Sequence, residues 1–339
     1  MMIRRSTGRR PGLSLMEVLV GFGILGIAVP AVITLYPFSA LTLGQALRDD
    51  RTSTCAATAD GLLRDIHTRY VVEGNGSEPY FYTMDGGGTT GLPQLAADGN
   101  PSYPVLVDPM GFYARGGAPL GDGGAAKIPR VSLKMIEDYA ITSPATNRAT
   151  LSLRLCSQMD GLSYGDDGEV LPNSATMREL RYNWLWVVQR PVNRDRFTVR
   201  MQVVAFDKRA HLYAPPRSEA VYPNIGFTPG ETAILNVPAT AELRKGSWVM
   251  DATIGFDAAN RPLRHAEFYR VLSVSDANGT LTLEVHRPIS RPDGQYSASN
   301  PAAYGYFGTL VSMPAVADVF ERPMMTAGDG PVMTAGSVP

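Results

Sequence analysis

The fold is organised by residues 9–20, RRPGLSLMEVLV, which join a short basic leader to a long apolar segment. Residues 1–12 contain four arginines and no acidic residue, and Glu17 is the one charged residue between positions 13 and 43. About 20 predominantly apolar residues are enough for a helix to span a bilayer. The sequence therefore predicts a membrane-spanning helix over 13–43, and the basic leader predicts a cytoplasmic N-terminus.

The carboxylate of Glu17 is unusual inside so apolar a segment. A charged group within a membrane helix is costly, so it requires a partner. If the chain were cut after Gly12, the new α-amino group of Leu13 would lie about one helical turn from Glu17. The same amine of a neighbouring copy would serve equally well. We therefore expect Glu17 to pair with an ammonium group in a packed assembly of helices.

These residues resemble the type IV prepilin signature, which pilins and type II secretion pseudopilins share: Gly12, an apolar residue, Glu17 as the fifth residue of the shortened chain, and then an apolar helix. The resemblance covers roughly the first fifth of the chain. It implies cleavage between Gly12 and Leu13 by a prepilin peptidase, N-methylation of Leu13, and assembly through the Glu17 carboxylate. The chain has leucine at position 13, where this family usually has phenylalanine.

Other targeting signals also combine basic and apolar residues. A secretory signal peptide has an apolar core of about 7 to 15 residues, whereas this segment is much longer, although positions 26–28 would suit a small-residue cleavage site. A plain signal anchor and a twin-arginine signal are further alternatives. The carboxylate at position 17 favours the prepilin interpretation, because it is unusual in a signal peptide and an isolated anchor has no use for it. Neither arginine pair has hydrophobic residues closely after it in the arrangement usual for a twin-arginine signal.

Composition restricts the function further. The chain of 339 residues has 31 basic and 32 acidic residues and a net charge of -1, so no overall field favours nucleic acid. Its 34 glycines and 26 prolines are typical of a loop-rich β protein. The two cysteines, Cys55 and Cys156, form either one disulfide or two free buried thiols.

The predicted fold class is α+β. We expect a long N-terminal membrane-spanning helix packed on an antiparallel sheet, as in pilins, and an additional C-terminal β-rich domain. The expected parts are a basic leader (1–12), a transmembrane half (13–43) and an amphipathic half (44–72) of one helix, a pilin-like loop-rich β domain (73–206), a proline-rich linker (207–238), a second β-rich domain (239–322) and a disordered tail (323–339).

Alternating apolar residues and turn formers locate the strands. They are predicted over 150–156, 179–189, 197–206, 247–255, 267–275, 280–286 and 309–320. Asn278 and Gly279 favour a hairpin between two of them. Tyr182, Trp184 and Trp186 recur at every second position, which indicates one packed face of a strand rather than a ligand platform.

Residues with catalytic or metal-binding chemistry are sparse. The four histidines are far apart, and neither a nucleophile elbow nor a phosphate-binding loop is present. The best candidate for a cation site is an acidic, glycine-rich loop that contains Asp160, Asp166, Asp167 and Glu169. Its oxygen ligands would suit Ca²⁺, but their spacing does not match the EF-hand pattern. We therefore favour a solvated loop that binds no cation. No cofactor and no enzymatic activity are expected.

The resulting functional hypothesis is a structural subunit, minor or at the tip, of a type IV pilus or a type II secretion pseudopilus. Its expected location is the inner membrane, crossed once, with the C-terminal part periplasmic or extracellular. Expected partners are the prepilin peptidase, other pilin or pseudopilin subunits, the inner-membrane assembly platform and the lipid bilayer. The alternative is a surface binding module with a single-pass membrane anchor that forms no filament.

Overall fold

A computed structural model of the chain describes residues 15–69, 81–82, 89–90, 104–114, 120, 128–142, 148–158, 182–189, 198–207, 209, 219–256, 262–277, 279–290, 306–313 and 315–325. The chain divides into two compact units, Met1–Arg51 and Thr52–Pro339. Within the described residues the α-helices are α1 (Leu15–His67), α2 (Pro109–Ala114), α3 (Lys134–Thr142) and α4 (Arg148–Leu155), and Ala239–Ala241 form a short 3-10 helix.

Strands make up most of the regular structure of the second unit. In chain order they are β1 (Phe81–Tyr82), β2 (Thr89–Thr90), β3 (Val105–Val107), β4 (Arg130–Leu133), β5 (Tyr182–Gln189), β6 (Val199–Asp207), β7 (Ala220–Phe227), β8 (Ala233–Pro238), β9 (Trp248–Asp251), β10 (Ile254–Phe256), β11 (Pro262–Arg264), β12 (Glu267–Ala277), β13 (Thr280–Val285), β14 (Tyr306–Ser312) and β15 (Val316–Met325).

The predicted fold class is wrong, because the chain is mostly β and contains a closed barrel. Among the residues whose placement is described, no helix is sufficiently long and apolar to cross a membrane. This finding also corrects the predicted membrane-spanning segment and the single-pass inner-membrane location. The prediction rested on a run of apolar residues, and such a run does not distinguish a helix in a bilayer from one that other protein surrounds.

One sheet has seven strands in the order β15-β6-β5-β3-β4-β1-β2. Its neighbours pair antiparallel except for β3 and β4, which are parallel. The predicted antiparallel pair around residue 190 is confirmed as β5 and β6, with Trp186 opposite Val203.

Strand β5 is buried on both faces, which explains its nearly continuous apolar sequence. Trp184 and Trp186 belong to an apolar cluster on one face, together with the last turns of α1. Leu185 and Val187 belong to a second cluster on the other face, together with residues of the barrel. The prediction that Tyr182 and the two tryptophans form a packed face is confirmed.

Six strands close a barrel in the order β12-β13-β8-β7-β14-β9, and β9 pairs back onto β12. A third apolar cluster, which includes Phe227, Tyr269 and Leu283, fills this barrel. The predicted hairpin is confirmed, because β12 and β13 pair at Ala277 and Thr280. Gly279 has a φ of 80°, a conformation that glycine adopts at little cost. Strands β10 and β11 form a separate two-stranded sheet.

The strand predicted over 150–156 is wrong, because residues 150–155 lie in α4. Leu151 and Leu155 are half-buried against the first cluster, and Leu153 and Cys156 are buried within it. Leucines at alternate positions also include an i, i+4 pair, so a run this short fits both a strand and a helix. Here packing against the sheet favours the helix.

The segment expected as a linker, 207–238, contains the barrel strands β7 and β8. Its prolines suggested a loop, but Pro223 lies at an irregularity of the β7–β14 ladder, between the pairs of Ile225 and Tyr222. Proline is tolerated at such a position because no ladder donor is needed there. The next residue, Asn224, has a φ of 60°.

The strand predicted over 309–320 is two strands, β14 in the barrel and β15 in the seven-stranded sheet. Strand β15 pairs antiparallel with β6, with Phe320 opposite Val203. The C-terminal part of the chain therefore completes the first sheet, and β15 extends to Met325, beyond the predicted start of a disordered tail. The rest of that tail lies outside the described residues.

Candidate functional site

The most unusual surface is the first part of α1. Every residue from 15 to 50 whose side chain is described is exposed. Seventeen of these are large apolar side chains with exposed fractions from 44% to 79%: Leu15, Met16, Val18, Leu19, Val20, Phe22, Ile24, Leu25, Ile27, Val29, Val32, Ile33, Tyr36, Phe38, Leu41, Leu43 and Leu47. We call residues 15–47 the apolar helix segment.

The apolar helix segment differs from every other described surface. Elsewhere in the described residues the exposed large apolar side chains are Leu235, Leu272, Phe307 and Met324. Scattered single residues of this kind are normal on proteins, whereas a large contiguous apolar surface marks an interaction site. Because apolar side chains occupy consecutive positions in the segment, they point in all directions around the helix, as in a helix that apolar groups surround.

Glycine interrupts the apolar helix segment at four positions. A Cβ atom added to Gly21, Gly23, Gly26 or Gly44 would meet no atom of the chain within 4 Å. Glycine in a helix costs roughly 0.5–1 kcal/mol relative to alanine. These glycines therefore have no packing role within the described part of their own chain, but they would allow the backbone of another helix to approach closely.

Glu17 lies in the first turn of α1. A carboxylate in this position interacts favourably with the positive end of the helix dipole, which is one physical reason for an acid here. Gly12 and Leu13, the predicted cleavage site, lie outside the described residues, as does the N-methylation expected at Leu13. The structure thus places the predicted carboxylate at the start of the helix and leaves the two cleavage-site residues as a prediction.

The last turns of α1, which belong to the second unit, have the opposite character. Cys55, Ala56, Ala59, Leu63 and Ile66 recur at helical spacing and are buried against the seven-stranded sheet. The indole of Trp186 donates a hydrogen bond of 2.9 Å to the carbonyl oxygen of Ala59. The burial of α1 thus changes abruptly near residue 52, although the helix is continuous.

A buried ionic cluster lies beside the seven-stranded sheet. Asp108 follows β3, and both of its oxygens accept hydrogen bonds from Arg209 at 2.8 and 2.7 Å. Arg130 donates to Asp108 at 2.9 Å and to Glu219 at 2.7 Å. Arg209 also approaches Glu219 at 3.4 Å. The cluster contains two positive and two negative side chains, so its charge is balanced.

The pKa of Asp108 reflects this environment. Burial acts to raise it, but the guanidinium groups of Arg209 and Arg130, together with hydrogen bonds from Arg209 and the backbone of Gly111, hold the pKa at about 2. Glycine is required at 111, because an added Cβ would clash with the side chains of both Arg130 and Asp108. Each carboxylate pairs with both arginines of the cluster, which indicates a structural role.

Cys55 and Cys156 are both buried, and they are free thiols rather than a disulfide. Burial raises the pKa of Cys55 to about 12 and that of Cys156 well above its usual value. Because the thiolate is the reactive form, neither cysteine is suited to nucleophilic or redox chemistry.

The predicted calcium candidates Asp160, Asp166, Asp167 and Glu169 lie outside the described residues. Within the part of the chain that the structure describes, no group of three or more histidine, cysteine, aspartate or glutamate residues could hold a metal ion.

Sequence reasoning missed one polar group in the barrel. His265 is one of the four widely separated histidines, yet its Nδ1 lies 3.1 Å from the buried carboxylate of Asp251. No local motif joins the two residues, so only the closure of the barrel shows their proximity.

Both the sequence and the structure therefore indicate that the apolar helix segment is an interaction surface. Comparisons with known proteins do not identify it further. No protein-family model matches the chain, and no curated protein matches it.

Proposed function

We propose that the chain is an assembling subunit of the type IV pilin and type II secretion pseudopilin class. In this proposal the apolar helix segment packs against the same segment of neighbouring subunits in a central bundle. The observation that carries the proposal is the presence of 17 exposed large apolar side chains on one helix. The prepilin-like residues Gly12, Leu13 and Glu17 support the same conclusion independently.

The energetics favour assembly. Covering one large apolar side chain contributes about 1.5–3 kcal/mol. Association costs about 4–15 kcal/mol in lost translational and rotational freedom. Covering all 17 large apolar side chains of the segment would therefore outweigh this cost. The exposed backbone at the segment's glycines would let neighbouring helices pack closely, which adds dispersion contacts.

The proposal gives Glu17 a specific role. Cleavage after Gly12 would create an ammonium group on Leu13, and the Glu17 carboxylate of a neighbouring subunit would neutralise it inside the bundle. A prepilin peptidase would perform this cleavage, and other subunits and an assembly platform would be the remaining partners. The second unit, Thr52–Pro339, is large. Because so large a unit is hard to repeat around a narrow filament, we propose a minor or tip subunit.

The test compares Glu17→Ala with a control on the same helix. Glu17→Ala should lower recovery of the subunit in assembled filaments severely, because the Leu13 ammonium would be buried without a partner, at a cost of about 3–5 kcal/mol. Glu17→Asp should be impaired less, since the charge is kept on a shorter side chain. Asp49→Ala, which removes a carboxylate of α1 beyond the apolar helix segment, should assemble normally.

The measurement is co-purification with the other filament subunits, after cellular levels of each variant are shown to be equal. Normal recovery of Glu17→Ala would refute the role of this carboxylate. If Glu17 acted only on the helix dipole, Glu17→Ala would instead lower helix stability slightly and leave assembly intact.

A further inference from the structure

A line of polar side chains leads from the inside of the barrel to its surface. Asp251, at the end of β9, is fully buried, and its Oδ2 lies 3.1 Å from Nδ1 of His265. The other ring nitrogen of His265, Nε2, lies 3.3 Å from Oγ of Ser290. Ser290 is exposed. From this geometry we propose that Ser290, His265 and Asp251 form a nucleophile, base and carboxylate that hydrolyse small carboxylic esters.

The barrel holds the carboxylate rigidly. In β9, the side chains of Trp248 and Met250 pack towards the seven-stranded sheet, whereas Val249 packs in the barrel interior. Because side chains alternate along a strand, Asp251 points into the barrel, like Val249. Its Oδ1 accepts hydrogen bonds from the backbone nitrogen of Thr253, at 2.9 Å, and from the Thr253 hydroxyl. Its Oδ2 accepts one from the hydroxyl of Tyr306 at 2.6 Å.

These contacts determine the histidine tautomer. The Asp251 carboxylate is an acceptor, so the facing Nδ1 of His265 carries the proton. The lone pair of Nε2 is then directed at Ser290, which can donate its hydroxyl proton. Hydrogen bonds between nucleophile and base, and between base and orienting carboxylate, are the arrangement by which hydrolases activate serine.

Tyr269 positions the serine. Its hydroxyl lies 2.9 Å from Oγ of Ser290 and accepts a hydrogen bond of 2.9 Å from the Ser290 backbone nitrogen. Burial, with smaller effects from Asp251 and Glu267, raises the pKa of Tyr269, so the phenol keeps its proton at neutral pH. When this phenol donates to Oγ, the serine proton is left for His265.

The reaction follows from these roles. Oγ of Ser290 attacks the ester carbonyl carbon while its proton moves to Nε2 of His265. The bond from the carbonyl carbon to the alcohol oxygen then breaks, and the alcohol leaves with that proton. Water attacks the acylated serine, gives a proton to His265, and releases the acid as Ser290 recovers its hydrogen. The sum is ester plus water giving acid plus alcohol.

The test uses the full chain, a fluorophosphonate probe and p-nitrophenyl acetate. We expect a phosphonyl adduct on Ser290 by peptide mass spectrometry, formed with loss of fluoride, and hydrolysis of the ester. Ser290→Ala should abolish the adduct and the hydrolysis. His265→Gln should lower the rate about 100-fold or more, the usual range for removing a general base.

Ser275→Ala is the matched control, because Ser275 is another exposed serine of the barrel, in β12, and faces no histidine in the described contacts. It should leave labelling and hydrolysis unchanged. Thermal melting shows whether each variant is folded, and Ser290→Ala should melt like the unmodified chain because this side chain is exposed. Absence of a Ser290 adduct on the folded chain, or equal labelling of Ser275, would overturn the proposal.

Discussion

Asp108→Asn should destabilise the second unit strongly. The substitution keeps the size of the side chain but removes one of the two negative charges that face Arg130 and Arg209. Glu219 would then be the only carboxylate of the cluster. Each oxygen of Asp108 accepts two hydrogen bonds, so the amide nitrogen of asparagine would meet donors in either orientation. Breaking a buried pair in this way costs about 3–5 kcal/mol.

The charge of Asp108 also predicts a pH dependence. Its pKa is about 2 in the folded chain, against an ordinary value of 3.8. A carboxyl group whose pKa is lowered by folding contributes its full stabilisation when the pH is above the ordinary pKa. This stabilisation is lost as the pH falls from about 4 towards 2. The difference corresponds to about 2 kcal/mol. In Asp108→Asn this component of the acid sensitivity should disappear.

The assay is unfolding of the full chain in mild detergent, followed by tryptophan fluorescence, at pH 7 and between pH 4 and pH 2. Asp138→Asn is the control, because Asp138 forms an exposed ion pair of 2.6 Å with Lys134. Exposed pairs contribute about 0–1 kcal/mol. Similar losses for the two variants at pH 7 would refute the importance of the buried cluster, as would an unchanged acid transition in Asp108→Asn.

Two further predictions concern the cysteines and the chain terminus. Cys55 and Cys156 should resist alkylation by iodoacetamide at pH 8 in the folded chain, because burial keeps both as thiols. Both should react once the chain is unfolded. Rapid reaction of the folded chain, or two unreactive cysteines after unfolding without reductant, would contradict this prediction. The mature chain isolated from cells with a prepilin peptidase should begin at Leu13, with or without an N-methyl group. N-terminal mass spectrometry would measure this, and an intact Met1 or a start near position 29 would contradict the predicted cleavage.

The sequence predicted the elements whose signals are local. The alternating aromatic residues of β5 indicated a packed face, and the Asn278-Gly279 turn indicated the hairpin of β12 and β13. The exposed apolar surface of α1 was likewise visible as a run of apolar residues with a single carboxylate at Glu17. Each of these signals depends on neighbours within about ten positions, so it can be read along the chain.

Other local signals were ambiguous. Residues 150–156 fit both a strand and a helix, and contacts with the sheet decided for α4. The prolines of 207–238 indicated a linker, although Pro223 occupies a ladder irregularity in a barrel strand. The apolar run over 13–43 predicted a membrane span and an α+β class, neither of which the described structure bears out.

Tertiary structure alone decided which distant residues meet. It closed β9 onto β12 and β14, returned β15 to β6, and brought Asp108 to Arg209 across 101 positions. It also aligned Asp251, His265 and Ser290, whose spacing of 14 and 25 residues resembles no motif. Pairings of this kind depend on how sheets close and pack, and one sequence carries no local trace of them. The sequence determined α1, the turns and several strands, whereas the pairing of the barrel strands decided that Asp251, His265 and Ser290 lie close together.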